Sequence, residues 1–279
     1  ASMDGEKGKS VRLMLRRLKT ERMKDLPVKT QNVVACPMPE QQANAYRAIL
    51  SDMKLHRERK ENIPIAVLQR LANCSLSPVP LFEDVELTDS MIADSGRLTA
   101  FFRILDDIAA RREKVVVFVQ HFDVQDVVAR AIRARYGLDH MPGKINGTMP
   151  PAARQRVVTE FQDGRPGFDA VVLTGRAAGT GLTLTAANHV VHLERWWNPA
   201  VEDQCSDRVY RIGQTKDVMV HVPLAVFREE VDPADSPFDV TLHQFLERKR
   251  SRSQSVLAPS SSGKGDQEFI ESFFGQKAD

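Results

Sequence analysis

Two arginines near residue 210 have a spacing suited to phosphate chemistry. Arg208 and Arg211 stand three positions apart in the segment from Gln204 to Gln214. If this segment is a helix, the two guanidiniums lie on one face. Such a pair can clamp the terminal phosphates of a nucleotide and stabilise the charge of a phosphoryl-transfer transition state. Because surface arginines are common, the pair gains weight only in combination with neighbouring segments.

Two further segments follow predicted strands and carry unusual residues. Residues 174–182 form a loop of small residues directly after a buried run, and backbone N–H groups in such a loop can approach a phosphate closely. An ordinary glycine-rich turn explains this loop equally well. Residues 194–199 contain both tryptophans of the chain, Trp196 and Trp197, side by side. Core packing accounts for a tryptophan, whereas adjacent positions favour one exposed ring or one that fills an interface.

These segments need a scaffold, and the order of apolar patterns predicts one. Val115–Val119 is a continuous apolar run, as expected of a parallel strand buried on both faces. Apolar residues at helical spacing flank it, from Leu98 to Ile108 and from Val124 to Ile132. Other strands are predicted over residues 33–35, 144–145, 170–173, 189–193 and 218–222, and other helices over 39–53, 64–71 and 240–253. The alternation predicts a mostly parallel α/β sheet covered on both sides, with its site beyond the carboxyl ends of the strands.

The composition is that of an ordinary globular protein. The chain has 279 residues, 42% hydrophobic and 27% charged, which excludes wholesale disorder and a collagen-like sequence. No apolar run reaches the roughly 18 residues of a bilayer span, and no secretory signal opens the chain. We therefore expect an intracellular protein without a membrane partner, in the cytoplasm or nucleoid of a bacterium or the nucleus of a eukaryote. Three distant cysteines favour a reducing compartment. His189 and His192 fall on opposite faces of a strand, so no metal site is expected.

Charge is distributed unevenly along the chain. The net charge of +2 does not by itself indicate a polyanionic partner. Residues 4–24 hold eight basic and three acidic residues, which form either a solvated face or a contact with a polyanion. The tail from Arg248 is basic at first and then low in complexity, and we expect a flexible stretch after the helix predicted to end at about Ser253. Phe269–Phe274 is apolar enough to pack onto a neighbouring surface.

Taken in order, the motifs of this chain resemble those of a known family. The most specific block runs from Trp197-Asn198-Pro199 to Arg211-Ile212-Gly213-Gln214. The chain resembles the C-terminal RecA-like lobe of Swi/Snf-type ATPases, within helicase superfamily two, over roughly residues 11–250. The resembling segments are 15–19, 26–29, 41–46, 95–98, 115–121, 154–161, 179–187, 197–204 and 207–214. The resemblance implies a three-layer α/β/α domain with a mostly parallel sheet, a helical N-terminal segment and a C-terminal brace helix and tail.

The resemblance also implies roles for individual residues. Arg211 corresponds to the finger that reaches the γ-phosphate of ATP, with Arg208 beside it and Gln204 orienting both. Gly179 and Gly181 correspond to a glycine loop that faces ATP and the nucleic-acid backbone. The positions that correspond to contacts with the tracked strand, the DNA or the lobe interface are Gln120, His121, Gly147, Thr148, Thr185 and Trp197.

The chain departs from the family pattern at several positions. Thr183 stands where the family usually has Asn, Glu194 where it has Asp, and Val209-Tyr210 where it has Ala-His. These exchanges alter side-chain reach, so they bear on the coupling between sites rather than on the fold. The larger departure is the absence of a usable P-loop and of an Asp-Glu-x-His box from the 279 residues. Gly8-Lys9-Ser10 has neither a preceding strand nor the first glycine that a P-loop needs.

The resemblance therefore implies half of a motor. The parent protein would be an ATP-dependent double-stranded DNA translocase or remodeller acting on an unidentified protein target, with ATP and Mg²⁺ bound mainly by a first RecA-like lobe. This chain alone is then expected to be inactive. We expect residues 1–90 to form an inter-lobe linker and helical protrusion, 91–225 the RecA-like lobe and 226–279 the brace helix and tail. The alternative is a non-catalytic module that docks on nucleic acid or a protein without ATP, but the intact arginine pair argues against it.

Overall fold

A six-stranded parallel sheet forms the centre of the protein. The structure, a computed structural model, describes residues 26–58, 65–175, 181–230 and 235–255. The basic segment 4–24 and the apolar segment Phe269–Phe274 lie outside these ranges. The strands are β1 (Lys29–Pro37), β2 (Lys114–Val119), β3 (Gly143–Ile145), β4 (Asp169–Thr174), β5 (His189–His192) and β6 (Val218–Val226). Their order is β1-β6-β5-β2-β4-β3, and every pair of neighbours is parallel, which confirms the predicted α/β class.

Helices connect the strands and cover both faces of the sheet. They are α1 (Glu40–Glu58), α2 (Ile65–Leu76), α3 (Asp89–Ala93), α4 (Gly96–Ala110), α5 (Phe122–Tyr136), α6 (Pro151–Asp163), α7 (Pro199–Ser206) and α8 (Phe238–Ser255). The Ser95 hydroxyl sets the start of α4, since it accepts the Leu98 N–H at 3.1 Å. Among the described residues, no helix has both the length and the apolar character to cross a membrane.

Alternate residues of β2 face two separate cores. Val115 and Val117 point into the layer formed with α4 and α5. Val116 and Phe118 point to the opposite layer, which α6 and the segments that follow β4 and α7 complete. Because side chains alternate along a strand and both faces are covered, β2 is apolar from Val115 to Val119.

A third core joins α1, α2 and α8 to the end of β6. Tyr46, Leu71 and Leu246 are fully buried there and pack with Phe227. The Tyr46 hydroxyl accepts the Phe238 N–H at 2.6 Å, where α8 begins. These contacts hold α8 against the domain through parts of the chain that are remote in sequence.

The sheet extends beyond the segment predicted to form the RecA-like lobe. β1 falls within the predicted linker, yet it pairs with β6 from Lys29↔Val218 to Pro37↔Val226. β6 itself runs across the predicted boundary after residue 225. The division into 1–90, 91–225 and 226–279 remains a prediction, while the hydrogen-bonded ladder joins residues from all three parts.

Candidate functional site

The two arginines lie in a turn, because the helix expected to carry both stops before them. α7 ends at Ser206, and the N–H groups of Val209 and Tyr210 both return to the Ser206 carbonyl, at 3.1 and 3.0 Å. Val209 and Tyr210 are buried in the core over β2 and β6. We call residues 207–214 the arginine turn.

Arg211 connects the arginine turn to the segment between β4 and β5, which contains Gly179 and Gly181 and which we call the glycine loop. Its Nη1 donates to the carbonyls of Gly181 and Leu182, at 3.1 and 3.2 Å. The Leu184 N–H donates to the Arg208 carbonyl at 2.9 Å, so the two segments are joined twice. Arg211 nevertheless remains exposed. Nε of Arg208 is buried and has no hydrogen-bond partner among the described residues.

Gln214 holds the arginine turn in place, a role that sequence reasoning missed. Its side chain is 5% exposed. Nε2 donates to the carbonyls of Thr185, Ala187 and Val209, at 3.2, 2.7 and 3.3 Å. Oε1 accepts the N–H groups of the two residues that follow, at 3.0 and 2.9 Å. An amide has both donors and acceptors, and its place shortly before β6, which begins at Val218, is the signal that could have identified it.

The other residues predicted beside the arginines have different outcomes. Gln204 is exposed on α7, and its side chain bonds to no other described residue. Its predicted orienting role stays a prediction. Gly179 lies outside the described residues. Gly181 has a φ of 74°, a left-handed backbone conformation that favours glycine.

Thr185 belongs with the arginine turn in space. Gln162, near the end of α6, donates from Nε2 to the Thr185 hydroxyl at 3.1 Å. The Oε1 atom of Gln162 accepts the Ala186 N–H at 2.7 Å. The Thr185 carbonyl is taken by Gln214. Two glutamines from different elements therefore fix the end of the glycine loop.

Gln120 and His121 follow the carboxyl end of β2 and are held by Glu194. The Glu194 carboxylate accepts the Gln120 N–H at 2.7 Å and bonds Nδ1 of His121 at 2.9 Å. The hydrogen bond that His121 donates to the Glu194 carboxylate raises the pKa of His121 above its ordinary value. The Gln120 side chain also donates to the Arg195 carbonyl. Glutamate in place of the family's aspartate therefore still spans the gap between β5 and β2.

Gly147 and Thr148 form an exposed turn beyond β3. Oδ1 of Asn146 accepts both the N–H and the hydroxyl of Thr148, at 3.2 and 2.9 Å. Gln125, buried on α5, donates to the Ile145 and Val172 carbonyls at 3.0 and 2.7 Å. Hydrogen bonds from Gln125 to β3 and β4 therefore fix the strands from which the exposed turn extends.

The two tryptophans are half-buried and point to different neighbours. Trp196 packs edge-on against Phe118, with ring centroids 6.3 Å apart, and it lies directly against Gly175. Trp197 packs against Phe238 of α8 at 6.2 Å. A cavity of about 530 Å³ opens beside them, and its wall includes Gln120, His121 and both tryptophans. Trp197 is therefore shared between the third core and this cavity.

The structure separates the predicted site residues into two groups. Gln120, His121, Gly147, Thr148 and Trp197 follow the carboxyl ends of β2, β3 and β5. The expectation that the whole site lies at that edge holds only for this group. Gly181, Thr185, Arg208 and Arg211 meet instead where the glycine loop packs on the connection to β6. Within the described ranges, no cluster of three or more histidine, cysteine, aspartate or glutamate side chains could hold a metal ion.

Sequence comparisons match this chain to a helicase domain family and to two curated relatives. The family model described as the helicase conserved C-terminal domain matches residues 97–213. YwqA of Bacillus subtilis strain 168, named as an ATP-dependent helicase/translocase, is 31% identical over 215 residues. The Zorya protein ZorD of Escherichia coli O139:H28 is 31% identical over 258 residues. The alignments cover 75% and 87% of this chain, which spans only 23% of the length of each relative.

Solved structures agree with the sequence matches. The Sulfolobus solfataricus SWI2/SNF2 ATPase core in complex with dsDNA is 26% identical, with a TM-score of 0.66 over 93% of this chain and 53% of that one. The C-terminal domain of the same ATPase, at 22% identity, matches in fold with a TM-score of 0.61, over 90% of this chain and 100% of that domain. This chain therefore belongs to the SWI2/SNF2-type ATPases, as their helicase-type C-terminal lobe.

Proposed function

We propose that this chain is the second motor lobe of an ATP-dependent double-stranded DNA translocase, in which Arg208 and Arg211 act on ATP. The observation that carries the proposal is the position of the Arg211 guanidinium. The carbonyls of the glycine loop hold it, and the side chain stays exposed. An arginine that is oriented in advance and still accessible is suited to a phosphate presented by another lobe.

The chemistry assigned to the pair is electrostatic. Hydrolysis of ATP develops negative charge on the oxygens of the γ-phosphoryl group as water attacks and the bond to ADP breaks. Arg211 would donate to these oxygens, and Arg208, whose buried Nε lacks a described partner, would complete the clamp. Because fixed donors need no reorganisation during the reaction, the pair would accelerate the chemical step. Gly181 and Gln204 would line the same cleft, together with Gly179.

The first lobe would bind most of the ATP and its Mg²⁺. The described residues contain no carboxylate cluster for a metal, and the sequence contains no usable P-loop. The chain's own contribution is then the arginine turn, which closes onto a nucleotide held elsewhere. Hydrolysis would require both lobes, so the isolated chain is expected to be inactive.

The carboxyl edge of the sheet would contact the DNA backbone. The Sulfolobus core that resembles this chain was solved with dsDNA. Gln120, His121, Gly147 and Thr148 present amide, imidazole, backbone and hydroxyl groups there, which are common phosphate ligands. Trp197 would border this contact, and Thr185 would face the strand from the glycine loop. An unidentified protein bound to the DNA would be the target of remodelling.

Substitution of Arg211 in the two-lobe parent protein tests the ATP assignment. Arg211→Ala should lower DNA-dependent ATP turnover by about a thousand-fold, as expected of an arginine finger, with little change in DNA affinity. Arg211→Lys keeps the charge but loses the planar fork, and it should remain strongly impaired. Ile212→Ala, at the exposed neighbouring position, is the control. Normal turnover by Arg211→Ala would refute the finger role, and a parent without any turnover would favour the docking module.

The basic segment 4–24 offers a test of the DNA contact. Replacing Lys19 and Arg22 by glutamine should weaken duplex binding and make the logarithm of the affinity less dependent on salt, by about one unit of slope per lost phosphate contact. Fluorescence anisotropy with labelled duplex between 50 and about 200 mM salt measures both quantities. An unchanged slope would assign this segment to a solvated face.

A further inference from the structure

Glu202 is a buried carboxylate enclosed by two arginines. It lies in the first turn of α7 and is 2% exposed. Arg195 binds both of its oxygens, through Nε at 2.9 Å and Nη2 at 2.8 Å. Arg250 of α8 adds a third bond at 3.0 Å. Burial by itself would raise the pKa of Glu202, but the neighbouring guanidiniums outweigh it and lower the pKa to about 2.

On one side, this ion cluster continues to the proposed DNA contacts. Arg195 follows β5, and its carbonyl accepts the Gln120 side-chain amide. The preceding residue, Glu194, holds the backbone and ring of His121. The dipeptide 194–195 therefore ties the carboxyl end of β2 to the start of α7.

On the other side, α7 leads directly into the arginine turn. The Asp203 carbonyl accepts the Asp207 N–H at 2.9 Å, and the Cys205 carbonyl accepts the Arg208 N–H at 3.1 Å. α7 ends at Ser206, about one turn after Glu202, and Arg208 lies two residues beyond that end. A rotation of α7 about its own axis would therefore shift both arginines.

Helix α8 fixes the cluster from outside the sheet. Arg250 spans α7 and α8, with Nε 3.1 Å from Asp203 and Nη1 2.5 Å from Glu247. His243, also on α8, bonds Arg195 at 3.0 Å. A buried carboxylate without a partner is unfavourable. Arg195 and Arg250 must therefore stay within hydrogen-bond distance of Glu202.

We infer that Glu202 is a positioning residue, which sets the arginine turn relative to the carboxyl ends of β2 and β5. The inference deepens the proposed function, since it assigns the coupling between the DNA-contact group and the arginines to one carboxylate. The structural part of the inference is that Glu202 holds the arginine turn in a fixed position, and this part does not depend on ATP turnover. Proximity alone does not show that the cluster couples the two groups of residues. A response of the arginine turn to the loss of the charge has to be measured.

Hydrogen–deuterium exchange of this chain tests whether Glu202 holds the arginine turn in position. Glu202→Gln preserves the shape and removes the charge that both arginines need. We expect exchange of the amides in residues 207–214 to rise about ten-fold, while β2 stays protected. Glu247→Gln is the matched control, because it removes a carboxylate from the same Arg250 without touching Glu202. Unchanged exchange at 207–214 in Glu202→Gln would overturn the inference.

A second variant covers the case in which Glu202→Gln loosens the whole fold. Arg250→Gln leaves the Arg195–Glu202 pair in place and should raise exchange at 207–214 by a smaller factor, again with β2 protected. If exchange rises equally in β2 and in the arginine turn for both variants, Glu202 stabilises the whole domain and does not position the turn. That result would overturn the inference.

Turnover by the two-lobe parent protein separates the inference from the proposed function. Glu202→Gln should lower kcat for ATP about ten-fold with little change in KM, as expected when arginines are displaced from the transition state. Glu247→Gln should retain the wild-type kcat. If the wild-type parent hydrolyses no ATP, the proposed function fails, while the exchange data still decide whether Glu202 positions the turn.

Discussion

Replacing Gln214 by glutamate tests whether one buried amide fastens the arginine turn to the glycine loop. The change is nearly isosteric, so packing in the core is preserved. The new carboxylate can still accept the N–H groups of Thr215 and Lys216. It cannot donate to the Thr185, Ala187 and Val209 carbonyls, and it places an oxygen against all three.

The geometry sets the size of the expected loss. The bond to the Ala187 carbonyl is 2.7 Å long, whereas the other two, at 3.2 and 3.3 Å, are weaker. A buried acceptor left without its donor costs about 1–3 kcal/mol. Because one strong and two weaker bonds are lost, we expect the free energy of unfolding to fall by about 3 kcal/mol in Gln214→Glu.

Urea denaturation followed by tryptophan fluorescence measures this loss. The midpoint should move to lower urea with an unchanged m-value, which indicates a change in stability rather than in compactness. Gln204→Glu is the control, because it makes the same chemical change at an exposed position of α7. We expect its effect to stay within about 0.5 kcal/mol. A loss below 1 kcal/mol in Gln214→Glu, or equal losses in both variants, would refute the reasoning about the turn.

Two further predictions concern the glycine loop and the buried histidines. A Cβ at Gly175 would lie 2.2 Å from two ring atoms of Trp196, so Gly175→Ala should lower the free energy of unfolding by about 1–3 kcal/mol. A Trp196→Leu background should remove most of that difference in the same urea assay, and an equal loss there would contradict the steric cause. Burial lowers the pKa of His192 and of His221 to about 4, so the folded protein favours the neutral form of both rings. Stability is then fully present above the ordinary histidine pKa near 6.5 and is lost as pH falls toward 4, by up to about 3 kcal/mol for each ring. The urea midpoint measured from pH 7 to 4 should fall less steeply in His221→Gln than in the control His56→Gln, and equal slopes would exclude His221 as a source of the acid sensitivity.

Local patterns in the sequence are sufficient to predict most of the scaffold. A run such as Val115–Val119 has few alternatives to a strand covered on both faces, and the structure has it within β2. The stripe from Leu98 to Ile108 likewise predicts a helix, and the structure has it within α4. Each pattern depends only on neighbours in sequence, which is why the elements could be predicted without the fold.

The details of the site depend on partners that are distant in sequence. Nothing local shows that α7 ends before Arg208 or that Val209 and Tyr210 are both buried. The carbonyls that Gln214 binds lie as far as 29 positions away. Arg250 is 48 positions from Glu202. Motif spacing could therefore nominate the arginines but not the groups that hold them.

The pairing of β1 with β6 bears on the order in which the protein can fold. Lys29 meets Val218, so the edge of the sheet joins residues 189 positions apart and forms only after nearly the whole described chain has been synthesised. Until then β1 is an unpaired strand. A shortened protein that began at residue 91 would leave the backbone groups along β6 open, an edge that invites association with other chains. Expression of the lobe without its first strand is therefore expected to yield aggregates, even though every residue of the arginine turn would be present.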